Sequence, residues 1–537
     1  MNVKPDMSHQ YLYCRHLAQL AQRTPEQIFL REGARTLSFA QAHAQVQRLA
    51  HRLHQYGVQP GTRAILWMEN GLDYALIWLA LSRIGAVSVP LNQAYHGPIL
   101  AHQINDVNAE VLITDSAHWP RIAELADQIP AFSMIFQSGG DRSGEVAPGA
   151  IRLEDESGPS ALEGSGSAQA DTDLPYPHAS ECMSIFYTSG TTGPSKGVLY
   201  THMQAWCTAQ SVSPYLTCDD VFYMTNPMCH VGLPHCLGAT LLAGASLVVR
   251  PRFSARAFWS EVRQYGVTST MMLGSVATFL NAAPPLADDR EHSLRKVLMV
   301  PVLKDSKAFC QRFGVAVMSW FNMTELSVPL DTGGFSVEPD GSCGRVREGV
   351  SAKIVDEYDQ EVARGTPGEL LVRDEQPWTI SPGYFNQSDA TVSAWRNLWF
   401  HTGDLCIQDE SGAFFFVDRL KDCIRRRGEN ISSHEVESQI QLHPAVVEAA
   451  VIGVSAQEGE QEVQAIVVVQ PGMSLSLSEL LDFLQPRLPH FCLPRYVDFS
   501  ASPLPRTETG KIRKNILRTQ YPEGRGDREA INYIVRR

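Results

Sequence analysis

The chain has no Cys-x-x-Cys pair and no Cys/His cluster at metal-ligand spacing among its 11 cysteines. That excludes a disulfide framework and a structural zinc site, and fits a reducing cytoplasm. It also lacks a long uninterrupted apolar run. The richest stretch, Ala75 to Leu91, is broken at Ser82-Arg83 and again at Pro90, so no integral membrane contact is expected. The start, Met1 to Gln10, carries neither an apolar signal core nor a cleavage pattern. Positive charge is in deficit: 45 basic residues against 58 acidic ones give a net charge of −13 at pH 7. That balance argues against nucleic acid or an anionic membrane as partner, so an anionic substrate must be held by local basic groups. No solenoid repeat or sustained heptad is present. What is present is 537 residues, 44% of them hydrophobic, enough for more than one core and the scale of a large enzyme.

Along the chain, helical and strand patterns alternate. Strands are expected at Ile28 to Arg31, Arg63 to Met68, Val111 to Thr114 and Phe132 to Phe136, with helices at Phe39 to Gln55, Leu72 to Ile84 and Ile99 to Val107. Alternation of this kind predicts a parallel sheet covered by helices. Residues 138–172, dense in Gly, Ser, Pro, Asp and Glu, read as a long connection. The rhythm resumes at Val221 to Met224 and runs to Val315 to Trp320, which predicts a second, related sheet. After Asp331, short strands and turns suggest a small barrel-like layer. The expectation is an α/β protein: a large N-terminal domain, residues 1–418, of two related α/β sheets plus a small β-barrel-like layer. A smaller, mobile α+β C-terminal domain, 419–521, and a polar tail, 522–537, follow.

One stretch, Tyr187 to Val198, follows the apolar run Met183 to Phe186 and reads as strand, polar loop, helix. Its three glycines allow close backbone approach, and its five Ser and Thr hydroxyls supply donors, as a loop wrapped around phosphate requires. Lys196 adds a point charge. Ser195 and Gly197 flank that lysine where an ordinary nucleoside-triphosphatase loop needs Gly before and Ser or Thr after, so that class is disfavoured. Further segments carry chemistry. Trp320-Phe321-Asn322-Met323-Thr324-Glu325 ends a strand, where open α/β sheets bind ligands. Trp399-Phe400-His401-Thr402-Gly403-Asp404-Leu405 puts a carboxylate after a turn, and Pro505-Arg506-Thr507-Glu508-Thr509-Gly510-Lys511-Ile512 closes the chemistry-bearing part of the chain.

Together these segments, in this order, resemble the adenylate-forming superfamily of acyl- and aryl-CoA synthetases, peptide-synthetase adenylation domains and luciferases. Phe-Phe-Val-Asp-Arg and Arg-Gly-Glu-Asn-Ile-Ser resemble carnitine/crotonobetaine-type and medium-chain acyl-CoA ligases in wording. The resemblance implies that Thr188, Ser189, Gly190, Thr191, Thr192 and Lys196 hold phosphate, Phe321 and Asn322 meet adenine, and Thr324 meets the α-phosphate. Glu325 would help hold Mg²⁺, a hard cation suited to carboxylate oxygen. Asn322 stands where the family pattern has glycine. Asp404 and Arg419 would reach ribose, and Lys421 would be the hinge, though by itself it reads as a solvated linker charge. Arg427, Gly428 and Glu429 would line the path of the pantetheine arm, with the run Arg425 to Arg427 equally readable as CoA phosphate contacts or a solvated face. Lys511 would be catalytic, with Thr188, Lys196 and Glu325. His230 would sit beside the acyl pocket, against the alternative of a packed loop histidine. Val302, in the segment Val-Pro-Val-Leu-Lys that replaces a small family turn, would line the same pocket.

The implied activity is ATP-dependent activation of a carboxylic acid to an acyl-AMP, then transfer to CoA, with ATP, Mg²⁺ and CoA as cofactors. The alternatives are loading of a separate carrier protein, an oxidative luciferase-like reaction, or a non-catalytic nucleotide-binding protein. A homodimer is compatible with this reading, and the acid is left open.

Overall fold

The computed structural model describes residues 8–93, 95, 97–138, 147–153, 174–188, 195–303, 305–420, 422, 424–426, 429–431, 433–455, 461–488, 490–506, 510–522, 526–531 and 533. These fall into two compact units. One takes the described residues up to 188 with 195–351 and 373–398; the other takes 352–372 and those from 399 onward.

The first unit contains two seven-stranded sheets of the same plan, each with a run of parallel strands and one antiparallel edge strand. One runs in the order Ile151–Arg152, Met134–Gln137, Val111–Thr114, Arg63–Trp67, Val87–Pro90, Cys182–Thr188, Lys196–Thr201. The other runs Ala316–Met318, Lys296–Val300, Ser269–Leu273, Val221–Met224, Ser246–Val249, Ile28–Glu32, Arg35–Ser38. The pair of related sheets is the expected one, with a difference at the N-terminus. Ile28–Glu32 joins the second sheet, pairing parallel to Ser246–Val249 with Leu30 beside Leu247. Gln27 fixes this placement by donating from Nε2 to the carbonyls of Cys218 (2.8 Å) and Gly244 (2.7 Å).

The apolar stretch after residue 72 is a helix, Leu72–Arg83, buried on every side, followed by a turn at Gly85 (φ +70°) into Val87–Pro90. A helix without a polar face belongs inside a large core. Arg83, which interrupts the apolar run, is itself fully buried; its guanidinium donates to Leu174 O (2.8 Å) and Pro175 O (3.2 Å) and lies 3.9 Å from the centre of the Tyr176 ring. Among the described residues no helix is long and apolar enough to cross a membrane. The preceding helix, Phe39–Gln55, starts on a capping box in which Ser38 and Gln41 satisfy each other's backbone amides.

The second unit holds a four-stranded sheet, Val350–Val355, Gly368–Asp374, Phe400–Gln408 and Phe414–Arg419, and a second one, Val446–Ser455, Gln461–Val469, Tyr496–Ser500 and Gly526–Asp527. Helices Ser433–Gln441, Leu477–Leu484 and Lys514–Gln520 accompany the latter. The expected division assigns residues 352–372 and 399–418 to the large domain, whereas their packing groups them with the C-terminal segment. A buried polar chain is one reason. Asp418 Oδ2 accepts from Ser433 Oγ (2.6 Å) and from the His434 amide (3.2 Å), and Lys514 reaches Ser433 and the Glu437 carboxylate (2.8 Å). The segment expected as a polar tail from 522 contributes the edge strand Gly526–Asp527, and Arg528 is buried with Nη1 donating to Leu493 O at 3.0 Å.

Candidate active site

The phosphate segment departs from the expected strand, loop, helix. Lys196–Thr201 is a strand, antiparallel to Cys182–Thr188, with Thr188 opposite Lys196; a helix begins only at His202, capped by Thr201. Val198 and Tyr200 are buried at a spacing of two, the strand period that a helical reading of the stretch overlooks. No helix N-terminus therefore stands at Lys196, where the sequence pattern predicts one. Thr188 Oγ1 donates to Lys196 O at 3.3 Å. Ser189, Gly190, Thr191 and Thr192 lie outside the described residues. The helix Gly97–Val107 braces the hairpin from both sides: Gln103 Nε2 donates to Ser195 Oγ (2.9 Å), and the Tyr187 phenol donates to Asp106 (2.6 Å). Burial first, then the Asp106 carboxylate, raises the Tyr187 pKa, which keeps that phenol a donor. Gly197 is required by packing, since a Cβ there would lie 2.8 Å from Ile185 Cγ2.

Against the outer strand runs Ser381 to Phe385, with Leu199 N donating to Gly383 O (3.0 Å) and Phe385 N to Gly197 O (2.7 Å). Its Tyr384 brings two expected site residues together. The Lys196 ammonium sits 4.9 Å from the centre of the Tyr384 ring, and the Tyr384 hydroxyl donates to Glu325 Oε1 at 2.8 Å. A cation over a ring face gains about 0.5–1 kcal/mol where solvent reaches it. Tyr384 is absent from the sequence expectations.

Glu325 and Thr324 lie in the turn between Trp320–Phe321 and Leu330–Asp331, which pair antiparallel. Phe321 is buried. Asn322, where the family pattern has glycine, accepts through Oδ1 from the Val328 amide at 2.8 Å and so ties the turn across its base. Val328 is fully buried with φ +54°, a left-handed conformation costing a β-branched residue about 1–3 kcal/mol unless its surroundings impose it. Beneath, His235 stacks on Trp320 with ring centres 5.1 Å apart. Burial lowers its pKa to about 4, so it is a neutral imidazole. His230 closes a turn with its amide on Pro227 O (3.2 Å), just before helix Gly232–Ala243. Val302 follows the strand Lys296–Val300 and packs on the cluster around Phe309.

The second unit holds the remaining expected residues. Asp404 and Arg419 are paired across adjacent strands, Arg419 Nε 2.7 Å from Asp404 Oδ1, with the aspartate almost wholly buried. Behind them Glu369 accepts from the Gly403 amide (3.0 Å) and holds His401 Nδ1 (2.9 Å), fixing the strand Phe400–Gln408 at Gly403, where φ is +68°. Lys511 is exposed. It follows Gly510 (φ +80°), whose carbonyl accepts from Arg506 Nη1 at 2.6 Å, while Arg506 Nη2 meets Glu448 at 3.1 Å. Lys421, Arg427 and Gly428 lie outside the described residues, and of Glu429 only the backbone is placed, opposite Arg426. Arg426 itself is buried against Glu462 (2.7 Å). Within the Arg425 to Arg427 run, that side chain therefore holds the fold rather than a free phosphate.

Among the described residues no cluster of three His, Cys, Asp or Glu could cage a metal. A single buried carboxylate, Glu325, linked through Tyr384 to Lys196, fits Mg²⁺, which takes one or two carboxylates and completes its shell with water and substrate phosphate.

A family model described as AMP-binding enzyme matches residues 17–385, and one described as AMP-binding enzyme C-terminal domain matches 435–511. A crotonobetaine/carnitine–CoA ligase of Salmonella paratyphi A is 30% identical over 497 residues, 90% of this chain and 93% of the relative. ATP-bound MatB from Rhodopseudomonas palustris is 28% identical with a TM-score of 0.80, over 95% of this chain and 99% of that one. The anthranilate CoA ligase AuaEII, in complex with anthranoyl-AMP, is 24% identical and shares the fold at a TM-score of 0.81, over 95% of this chain and 97% of that one.

Proposed function

We propose, for a chain that belongs to the AMP-binding enzyme family, a two-step reaction on a carboxylic acid. The protein is an ATP-dependent, AMP-forming acid–CoA ligase. In the first step an acid oxygen attacks the α-phosphorus and pyrophosphate leaves; in the second the CoA sulfur attacks the acyl carbon, its proton is lost, and AMP departs. A carboxylate resists thiol attack because oxide is a poor leaving group, and the acyl-adenylate removes that obstacle. The observation that carries the reading is the Lys196–Tyr384–Glu325 constellation at the mouth of the phosphate hairpin. One cation and one carboxylate tied to the same ring are what a triphosphate with its metal would need, and this supports the reading. Bound Mg²⁺ would neutralise phosphate charge there, held by Glu325. The acid is proposed only as a carboxylate, and the carnitine-type relative makes small quaternary-ammonium acids a rational part of any test panel.

The test is a panel of carboxylic acids with ATP, Mg²⁺ and CoA, following nucleotide products and pyrophosphate. AMP and pyrophosphate with an acyl-CoA are expected. ADP and phosphate would overturn the reading, and adenylate formation without a thioester on CoA would favour a carrier-protein acceptor.

Asp404 is proposed to hold ribose with Arg419. Asp404→Ala should raise the ATP KM roughly ten- to a hundredfold, because a charge-assisted contact of about 1.5–3 kcal/mol is lost. Initial rates over a range of ATP decide it, and an unchanged KM removes Asp404 from the nucleotide site.

A further inference from the structure

The turn that carries Thr324 and Glu325 has an unusual feature: five consecutive carbonyls, 324 to 328, are all claimed by donors from elsewhere in the unit. Gln204, itself fully buried, donates from Nε2 to Thr324 O (3.1 Å) and Leu326 O (3.3 Å). The Ser381 amide donates to Glu325 O at 2.8 Å. Arg347 takes the last two, Nη2 on Ser327 O and Nε on Val328 O, both at 2.7 Å. The Val328 amide is held by Asn322, and Arg347's own amide donates to Pro329 O at 3.1 Å.

A peptide plane in such a row cannot rotate without breaking a bond that buried surroundings will not replace. The row also accounts for Val328, whose left-handed backbone survives only where neighbours impose it. We propose that Gln204 and Arg347 are positioning residues for the reaction: from opposite ends of the row they set the conformation in which Glu325 meets Tyr384 and Thr324 faces the phosphate site. Arg347 is the specific half of the device. Its planar fork aims two fixed N–H donors at two successive carbonyls, whereas a lysine ammonium would have to serve both from one atom on a flexible stem. The bonds described for both side chains go to backbone carbonyls of the turn, so each acts through Thr324 and Glu325.

The proposal rests on the adenylating function, and its test separates the two. Arg347→Met, Arg347→Lys and Gln204→Met are compared with the parent for pyrophosphate exchange, for thioester formation from supplied acyl-adenylate, and for the Mg²⁺ concentration giving half-maximal exchange. Amide hydrogen exchange across residues 322–331 is measured without substrate. Residues that orient a metal-binding carboxylate typically carry about ten- to a hundredfold in affinity or activity. Arg347→Met and Gln204→Met should lose adenylation on that scale, need more Mg²⁺ and exchange faster at 322–331, with the thioester step little changed. Arg347→Lys should fall between them and the parent. An equal fall in both half-reactions, with a lowered Tm, would mean a purely structural role and would overturn the proposal; so would variants matching the parent at every readout. Were the parent inactive with every acid, the functional reading would fail by itself. The hydrogen exchange at 322–331 would still decide whether these two side chains set the turn.

Discussion

Lys511→Ala is expected to slow acyl-adenylate formation by about 10²–10³-fold, the scale of removing one electrostatic stabiliser from a developing anion, while thioester formation from supplied acyl-adenylate persists. The argument starts from the loop. Gly510 turns the chain, Arg506 grips the Gly510 carbonyl and the Glu448 carboxylate, and Arg506 and Ile512 bridge each other, so Arg506 fixes the backbone on either side of Lys511. Shortening an exposed side chain on such a loop changes stability by no more than about 0.5 kcal/mol. A loss confined to the first half-reaction is then chemical. During adenylation negative charge accumulates around the α-phosphorus, and a cation there stabilises the transition state more than the ground state. Pyrophosphate exchange and single-turnover thioester formation on one preparation check it; equal losses in both would remove Lys511 from the adenylation step.

Replacing Gly428 by phenylalanine should do the reverse. Only two residues, Arg427 and Gly428, separate the paired strands Ile424–Arg426 and Glu429–Ile431 in sequence, and Arg426 is anchored inward on Glu462. If the pantetheine arm passes at Gly428, any β-carbon obstructs it, and displacing a reacting thiol by an ångström can cost about 10²-fold. Thioester formation should fall on that scale while pyrophosphate exchange continues. Damage to folding would lower both half-reactions together and be recognised. Exchange lost with transfer preserved would place Gly428 elsewhere.

The order of chemistry-bearing segments was legible because each is local: Thr188 with Lys196, Thr324 with Glu325, Thr402 to Asp404 all lie within a few residues of one another. The parallel sheets were legible for the same reason, since a βα alternation is written in consecutive residues. Tyr384 was not, for its two partners, Lys196 and Glu325, lie far back in the chain and nothing in Gly383-Tyr384-Phe385 announces them. Arg347 and Gln204 escaped likewise, their partners being backbone carbonyls, which every residue has. The strand Lys196–Thr201 was hidden by its glycine and lysine, poor strand formers that pairing with Cys182–Thr188 overrides. The two-residue edge strand at Gly526 is too short to carry any periodicity.

The N-terminal strand has a consequence for how the molecule is made. Ile28 accepts from Ser246, 218 residues further on. At ordinary synthesis rates of about 5–20 residues per second, that separation corresponds to roughly 10–45 s between emergence of the strand and emergence of its partner. Until then Phe29 and Leu30, both fully buried at the end, have no sheet to enter. The hairpin formed with Arg35–Ser38 can close early, and its charged Arg31, Glu32 and Arg35 discourage a stray partner at the waiting edge. A strand made early is thus locked only once Ser246–Val249 has been made, with Ser269–Leu273, Lys296–Val300 and Ala316–Met318 still to complete the same sheet.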